Sequence, residues 1–131
     1  MSRSFLVSSA AVLMLATGLL QPHAGFAQAT PTPQFSASLA GTFKEAQGAR
    51  QEKRWPDVIA LAQKALASTD RKADDTYYAY YLLAEAYRAT GNRNEVRKAM
   101  QGMIDSGFLT PEQQIALVGT LATMDSPKTP R

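Results

Sequence analysis

The chain has 131 residues, with 14 Lys and Arg against 11 Asp and Glu, a formal net charge of +3 and no cysteine. That length suggests one domain. Disulfide staples, thiol chemistry and a cysteine-linked lipid are excluded, and so even a charge gives no drive toward nucleic acid or an anionic membrane.

The N-terminus reads as a signal peptide over residues 1–27. Met1–Arg3 is a short basic start, Phe5–Leu20 is uncharged and apolar or small, and Gln21-Pro22 breaks the run. Small residues follow at Ala24, Gly25, Ala27 and Ala29, so cleavage after Ala27 or Ala29 satisfies the small-residue rule. The run is also short for a spanning helix of about 20 residues. The expected location is therefore periplasmic or secreted, with no stable membrane insertion once the segment is removed. His23, the one histidine, leaves with it, and loss of Arg3 lowers the formal charge from +3 to +2. The remaining chain of about 100 residues can still bury a core of its own.

Residues 28–34, "QATPTPQ", read as a flexible lead-in. A helical domain is expected over 35–124, and 125–131, "DSPKTPR", as a frayed tail. Five helices are expected, with no alternating run that would suggest a strand. The first spans about Phe35–Lys53, with Phe35, Leu39, Phe43 and Ala46 on one face. The second starts at Trp55-Pro56-Asp57, where proline suits the first turn, and repeats Val58, Ile59, Ala62, Ala65 and Leu66 at helical spacing. Trp55 reads as a packing staple at the turn. A polar link covers 68–74. The third helix spans about Asp75–Thr90 and stops at Gly91-Asn92. The fourth spans about Asn94–Ser106, striped by Val96, Ala99, Met100, Met103 and Ile104, and Gly107 ends it. The fifth opens with Thr110-Pro111-Glu112-Gln113, a capping-box pattern, and Ile115, Val118, Leu121 and Ala122 form its apolar face.

A shift of 38 residues lays the first two helices on the next two. Phe43 falls on Tyr81, Ala46 on Ala84, Arg50 on Arg88, Val58 on Val96, Gln63 on Gln101, Leu66 on Ile104 and Ser68 on Ser106. Such a period marks stacked helical hairpins, none of which buries its apolar face alone. The second copy resembles a tetratricopeptide repeat: Tyr80, Leu83, Ala84 and Tyr87 stand at that family's spacing in the first helix, Val96 and Met100 in the second. Phe108 replaces the final proline. The first copy offers Thr42, Glu45, Ala46, Ala49, Val58 and Ala62 at those places and departs in its first helix. The family period is about 34 residues; the four extra here fit the link at 68–74. The resemblance implies an all-α fold of two hairpins closed by a capping helix. So short an array calls for a homodimer or for support from a partner.

All five tyrosines lie between Tyr77 and Tyr87. At about 100° per residue, Tyr80, Leu83, Ala84 and Tyr87 share an arc facing the helix that follows, and these two tyrosines are expected in the core. Tyr78, Tyr81, Glu85 and Arg88 share another arc, matched in the first copy by Phe43, Gln47 and Arg50. The resemblance implies that these seven residues line a concave, peptide-binding groove. Arg50 and Arg88, one repeat apart, would then grip carboxylates at two points. The competing reading packs Tyr78 and Tyr81 on the first helix.

The mature chain lacks histidine and cysteine, which excludes serine or cysteine catalysis through histidine and removes the usual zinc ligands. No glycine loop suits a phosphate. Asp74-Asp75 reads as a helix start. No enzymatic activity, cofactor or metal is therefore expected. The expected function is an exported module that binds a protein or peptide. The alternative is an exported carbohydrate or cell-wall ligand-binding protein that stacks sugars on exposed tyrosines.

Overall fold

The structure, a computed structural model, describes residues 31–126. The expected signal segment 1–27 and residues 127–131 of the expected tail lie outside the described residues. Five helices and no strand are present among the described residues: α1 Ala37–Gln51, α2 Trp55–Leu66, α3 Ala73–Ala89, α4 Arg93–Asp105 and α5 Pro111–Asp125. Short connections fold each helix back on the one before. Each helix packs on its sequence neighbours, and α1 also touches α3. This ordered packing is consistent with a helical repeat. No helix among the described residues is long and apolar enough to cross a membrane.

The 38-residue register is written into the backbone. At the end of α1, the Arg54 amide donates to Ala49 O at 2.8 Å and the Lys53 amide to Arg50 O at 3.0 Å. At the end of α3, the Asn92 amide donates to Tyr87 O at 2.8 Å and the Gly91 amide to Arg88 O at 3.2 Å. Each is the same left-handed helix stop, in which amides beyond the end satisfy carbonyls of the last turn. After α2 the Ser68 hydroxyl accepts the Asp70 amide, and after α4 the Ser106 hydroxyl accepts the Phe108 amide, both at 3.2 Å. Asp75 accepts the Lys72 amide at 2.8 Å, and Gln113 accepts the Thr110 amide at 3.0 Å, three residues into α3 and α5 respectively. Thus α5 begins as α3 begins, one period later.

Two helix starts and the lead-in depart from the sequence reading for local reasons. Ser36 is extended and precedes α1, so Phe35 lies outside the helix. The Asp75 carboxylate reaches back to Lys72, so α3 begins at Ala73. Gln34, placed in the lead-in, is tied down: its amide donates to Asp74 Oδ2 at 2.7 Å. The box that opens α5 forms as its sequence indicates, with Thr110 Oγ1 accepting the Gln113 amide.

The core runs along the axis of the array. Leu39, Phe43, Ala46 and Ala49 of α1 are buried with Val58, Ala62 and Ala65 of α2. Ala79, Leu82, Leu83, Ala84 and Ala86 of α3 continue it into Val96, Ala99, Met100 and Met103 of α4. The many alanines let helices approach closely, and the aromatic residues fill the remaining spaces. Tyr80 lies flat on Gly102 of α4, where an added Cβ would fall 2.5 Å from the ring. Tyr77 stacks on Phe108 with centroids 4.7 Å apart. Trp55 opens α2 and packs partly buried against the core.

Two core assignments differ from expectation. Tyr80 and Tyr87 are only partly buried, at the edge of the core. On α5, Leu121 is buried and Leu117 and Met124 pack beside it, whereas Ile115 and Val118 are 72% and 50% exposed. The apolar residues of α5 therefore occupy two faces, and only one of them meets α4.

Candidate functional site on the inner face of α1 and α3

Two turns of α1 and nearly three of α3 bring the expected groove residues together, but in unequal roles. Phe43 is fully buried and cannot meet a ligand. This corrects its assignment to the groove: its position on α1 points between α1 and α3, where Phe35 and Tyr78 close over it. The Phe35 and Phe43 rings are 4.6 Å apart, and Tyr78 meets Phe35 at 4.9 Å and Phe43 edge-on at 5.2 Å. Gln47 Nε2 donates to the Tyr78 hydroxyl at 3.0 Å. Tyr78 thus packs on α1, its polar tip already satisfied.

Further along the same face, Tyr81 stacks on Tyr78 with centroids 5.8 Å apart and planes 20° from parallel. The Arg50 guanidinium stands 5.8 Å from the Tyr81 centroid, within range of cation–π attraction. Arg50 Nη2 donates to Glu85 Oε1 at 2.9 Å. Its Nε lies 2.7 Å from Oε2, a close ion contact without the alignment of a hydrogen bond. The side chains of the pair are about one third exposed, at 36% and 28%. The hydrogen bond to Glu85 is the main reason that Arg50 holds its proton more tightly than an ordinary arginine. Burial first, and then the Glu85 charge, push the Tyr81 phenol above its usual range.

A two-point grip by Arg50 and Arg88 does not match this arrangement, because Glu85 already neutralises Arg50. Arg88 is different: it is exposed and forms no ion pair among the described residues. It stands at the rim of two recesses. The smaller, about 170 Å³, lies beside Tyr81 and Glu85 and is floored by Ala84, Met100, Met103 and Leu117. The larger, about 350 Å³, is walled by Tyr87, Val96, Thr120 and Met124, with Arg93 also lining it. Volumes of this order suit side chains or small ligands. Arg93 is engaged within the wall of the larger recess, donating to Met124 O at 2.5 Å.

Both recesses exist because α5 packs on α4 and makes no close backbone approach to α3. Met100, Met103, Leu117, Thr120 and Met124 were missed as wall residues by sequence reasoning. Helical periodicity sets which of them share a face, but only the angle of α5 decides whether that face meets a neighbour or a gap.

Comparison with protein-family models, with curated proteins and with solved structures finds no match to this chain.

Proposed function

We propose that this protein is an exported, non-enzymatic interaction module of tetratricopeptide-like build, which holds a protein or peptide along the exposed face of α3, from its contact with α1 to the recesses it shares with α4 and α5. The observation that carries the reading is Arg88. It is the exposed cation between two apolar-walled recesses, while its charged neighbours Arg50 and Glu85 satisfy each other. An extended chain with apolar side chains either side of an acidic residue suits that order of recess, cation and recess. Tyr81, rigid and half-buried, supplies a low-entropy contact beside it. Export to the periplasm or beyond rests on the basic start, apolar run and small-residue cleavage site of residues 1–27.

The test is in-cell crosslinking capture, comparing wild type with Arg88→Glu and with Tyr81→Ala. Circular dichroism checks that each variant is folded. The reading expects a discrete protein captured by wild type and lost with Arg88→Glu. Equal capture by all three would overturn it.

A further inference from the structure

The second apolar face of α5 has no neighbour among the described residues. Its register says what kind of surface it is. Since α5 starts one 38-residue period after α3, Ile115, Val118 and Ala122 occupy the places of Tyr77, Tyr80 and Ala84. In α3 those residues meet the following turn and helix: Tyr77 stacks on Phe108, Tyr80 lies on Gly102, and Ala84 is buried. Ala79 and Ala86, fully buried in α3, correspond on α5 to Leu117 and Met124, which do pack inward. The open face of α5 is thus a helix-packing face.

We propose that a second copy of this chain covers it, α5 lying antiparallel to α5 about a two-fold axis near Val118 and Gly119. Three observations favour a second copy. Ile115, Val118 and Ala122 follow a three-then-four spacing, the seam of two paired helices. No charged residue stands between Glu112 and Asp125, so two copies of the face meet without opposing or burying charge. Gly119 has open space where a Cβ would be, which lets the backbones approach.

Charge sets the direction. An antiparallel pair brings Glu112 of each copy to the C-terminal end of the other α5. There Arg97 pairs with Asp125 at 2.6 Å and Arg93 reaches Met124 O, so the two arginines outweigh the one carboxylate. A parallel pair would set Glu112 against Glu112 and align the helix dipoles. A fifteen-residue helix is about 22 Å long. One such pair buries less than the ~1,600 Å² of a standard interface, which puts the proposed dimer among weak, transient associations.

Sedimentation velocity of the purified protein across the micromolar range tests this. Wild type is expected to move from monomer to dimer as concentration rises. Val118→Glu and Ile115→Glu should each weaken association at least tenfold, while Thr123→Glu, about 100° round α5 from the centre of the seam, should do so far less. Both seam positions are exposed, so folding is expected to be retained and is checked by circular dichroism. The chain has no cysteine of its own, so Val118→Cys gives an independent readout: oxidation should link two copies. A wild type that stays monomeric throughout, with no oxidative link through Val118→Cys, would overturn the proposal and leave the face to a helix of another protein. A dimer that survives Val118→Glu would overturn it too.

Discussion

Lys53 and Gly91 take the same left-handed backbone conformation, at φ 58° and 79°, one repeat period apart. Glycine adopts it at little cost, whereas a residue with a Cβ loses about 1–2 kcal/mol. The first hairpin therefore carries a strained lysine where the second carries a glycine. Lys53→Gly is expected to stabilise the protein by about 1 kcal/mol, read from the midpoint of urea unfolding. Gly91→Ala should do the reverse by a similar amount. No gain from Lys53→Gly would mean that the two turns are not equivalent.

Asp75 couples two helices that the sequence separates. It is almost fully buried and receives the Ser36 amide at 2.9 Å, the Ser36 hydroxyl at 2.5 Å and the Lys72 amide at 2.8 Å. Burial pushes its carboxyl up, but the Lys72 and Ser36 donors together outweigh burial and hold it below the ordinary carboxylate value. A depressed folded value means that the unfolded chain binds the proton more readily. The stability this contributes is complete above about pH 4, the unfolded value, and is lost as pH falls through the folded one. Asp75→Asn should cost roughly 2 kcal/mol at neutral pH, from lost charge-assisted hydrogen bonds. The gap between wild type and variant should narrow below about pH 4. A gap constant from pH 7 to pH 3, compared by unfolding at each, would sink this account.

Gly102 is small because Tyr80 needs the space. A methyl group there would meet three ring atoms at 2.5–2.6 Å. Helix propensity alone favours Gly102→Ala by about 1 kcal/mol, whereas overpacking costs about 1–3 kcal/mol. The expected result is a net loss of up to about 2 kcal/mol. Pairing Gly102→Ala with Tyr80→Leu should recover part of it. If Gly102→Ala alone stabilises the protein, the ring is free to move.

The Arg50–Glu85 pair bears on both stability and binding. It is partly exposed, so Glu85→Gln should cost only about 0.5–1 kcal/mol, less in high salt. The same change frees Arg50 beside Arg88. On the proposed function, capture of an acidic partner should rise in Glu85→Gln and fall in Arg88→Glu. Unchanged capture in Glu85→Gln would show that Arg50 lies outside the contact.

The helices were legible because their signals are local. Pro56, the Gly91 stop and the Thr110-Pro111-Gln113 box each act within one turn, and apolar spacing marks the faces of α2 and α4. The left-handed Lys53 was not legible, since nothing near it announces that conformation. The tie from Ser36 to Asp75 spans 39 residues, and no local pattern encodes it.

The candidate site divides along the same line. The sequence by itself placed Gln47, Arg50, Tyr78, Tyr81, Glu85 and Arg88 on matching arcs of two helices, because helical spacing and the 38-residue period determine which residues share a face. It could not determine what each arc meets. Tertiary packing buried Phe43, satisfied Tyr78 with Gln47, neutralised Arg50 with Glu85, and left Arg88 between two recesses. It also left Ile115 and Val118 open on α5. Periodicity assigns an apolar residue to a face; only the approach of a second helix decides whether that face is covered.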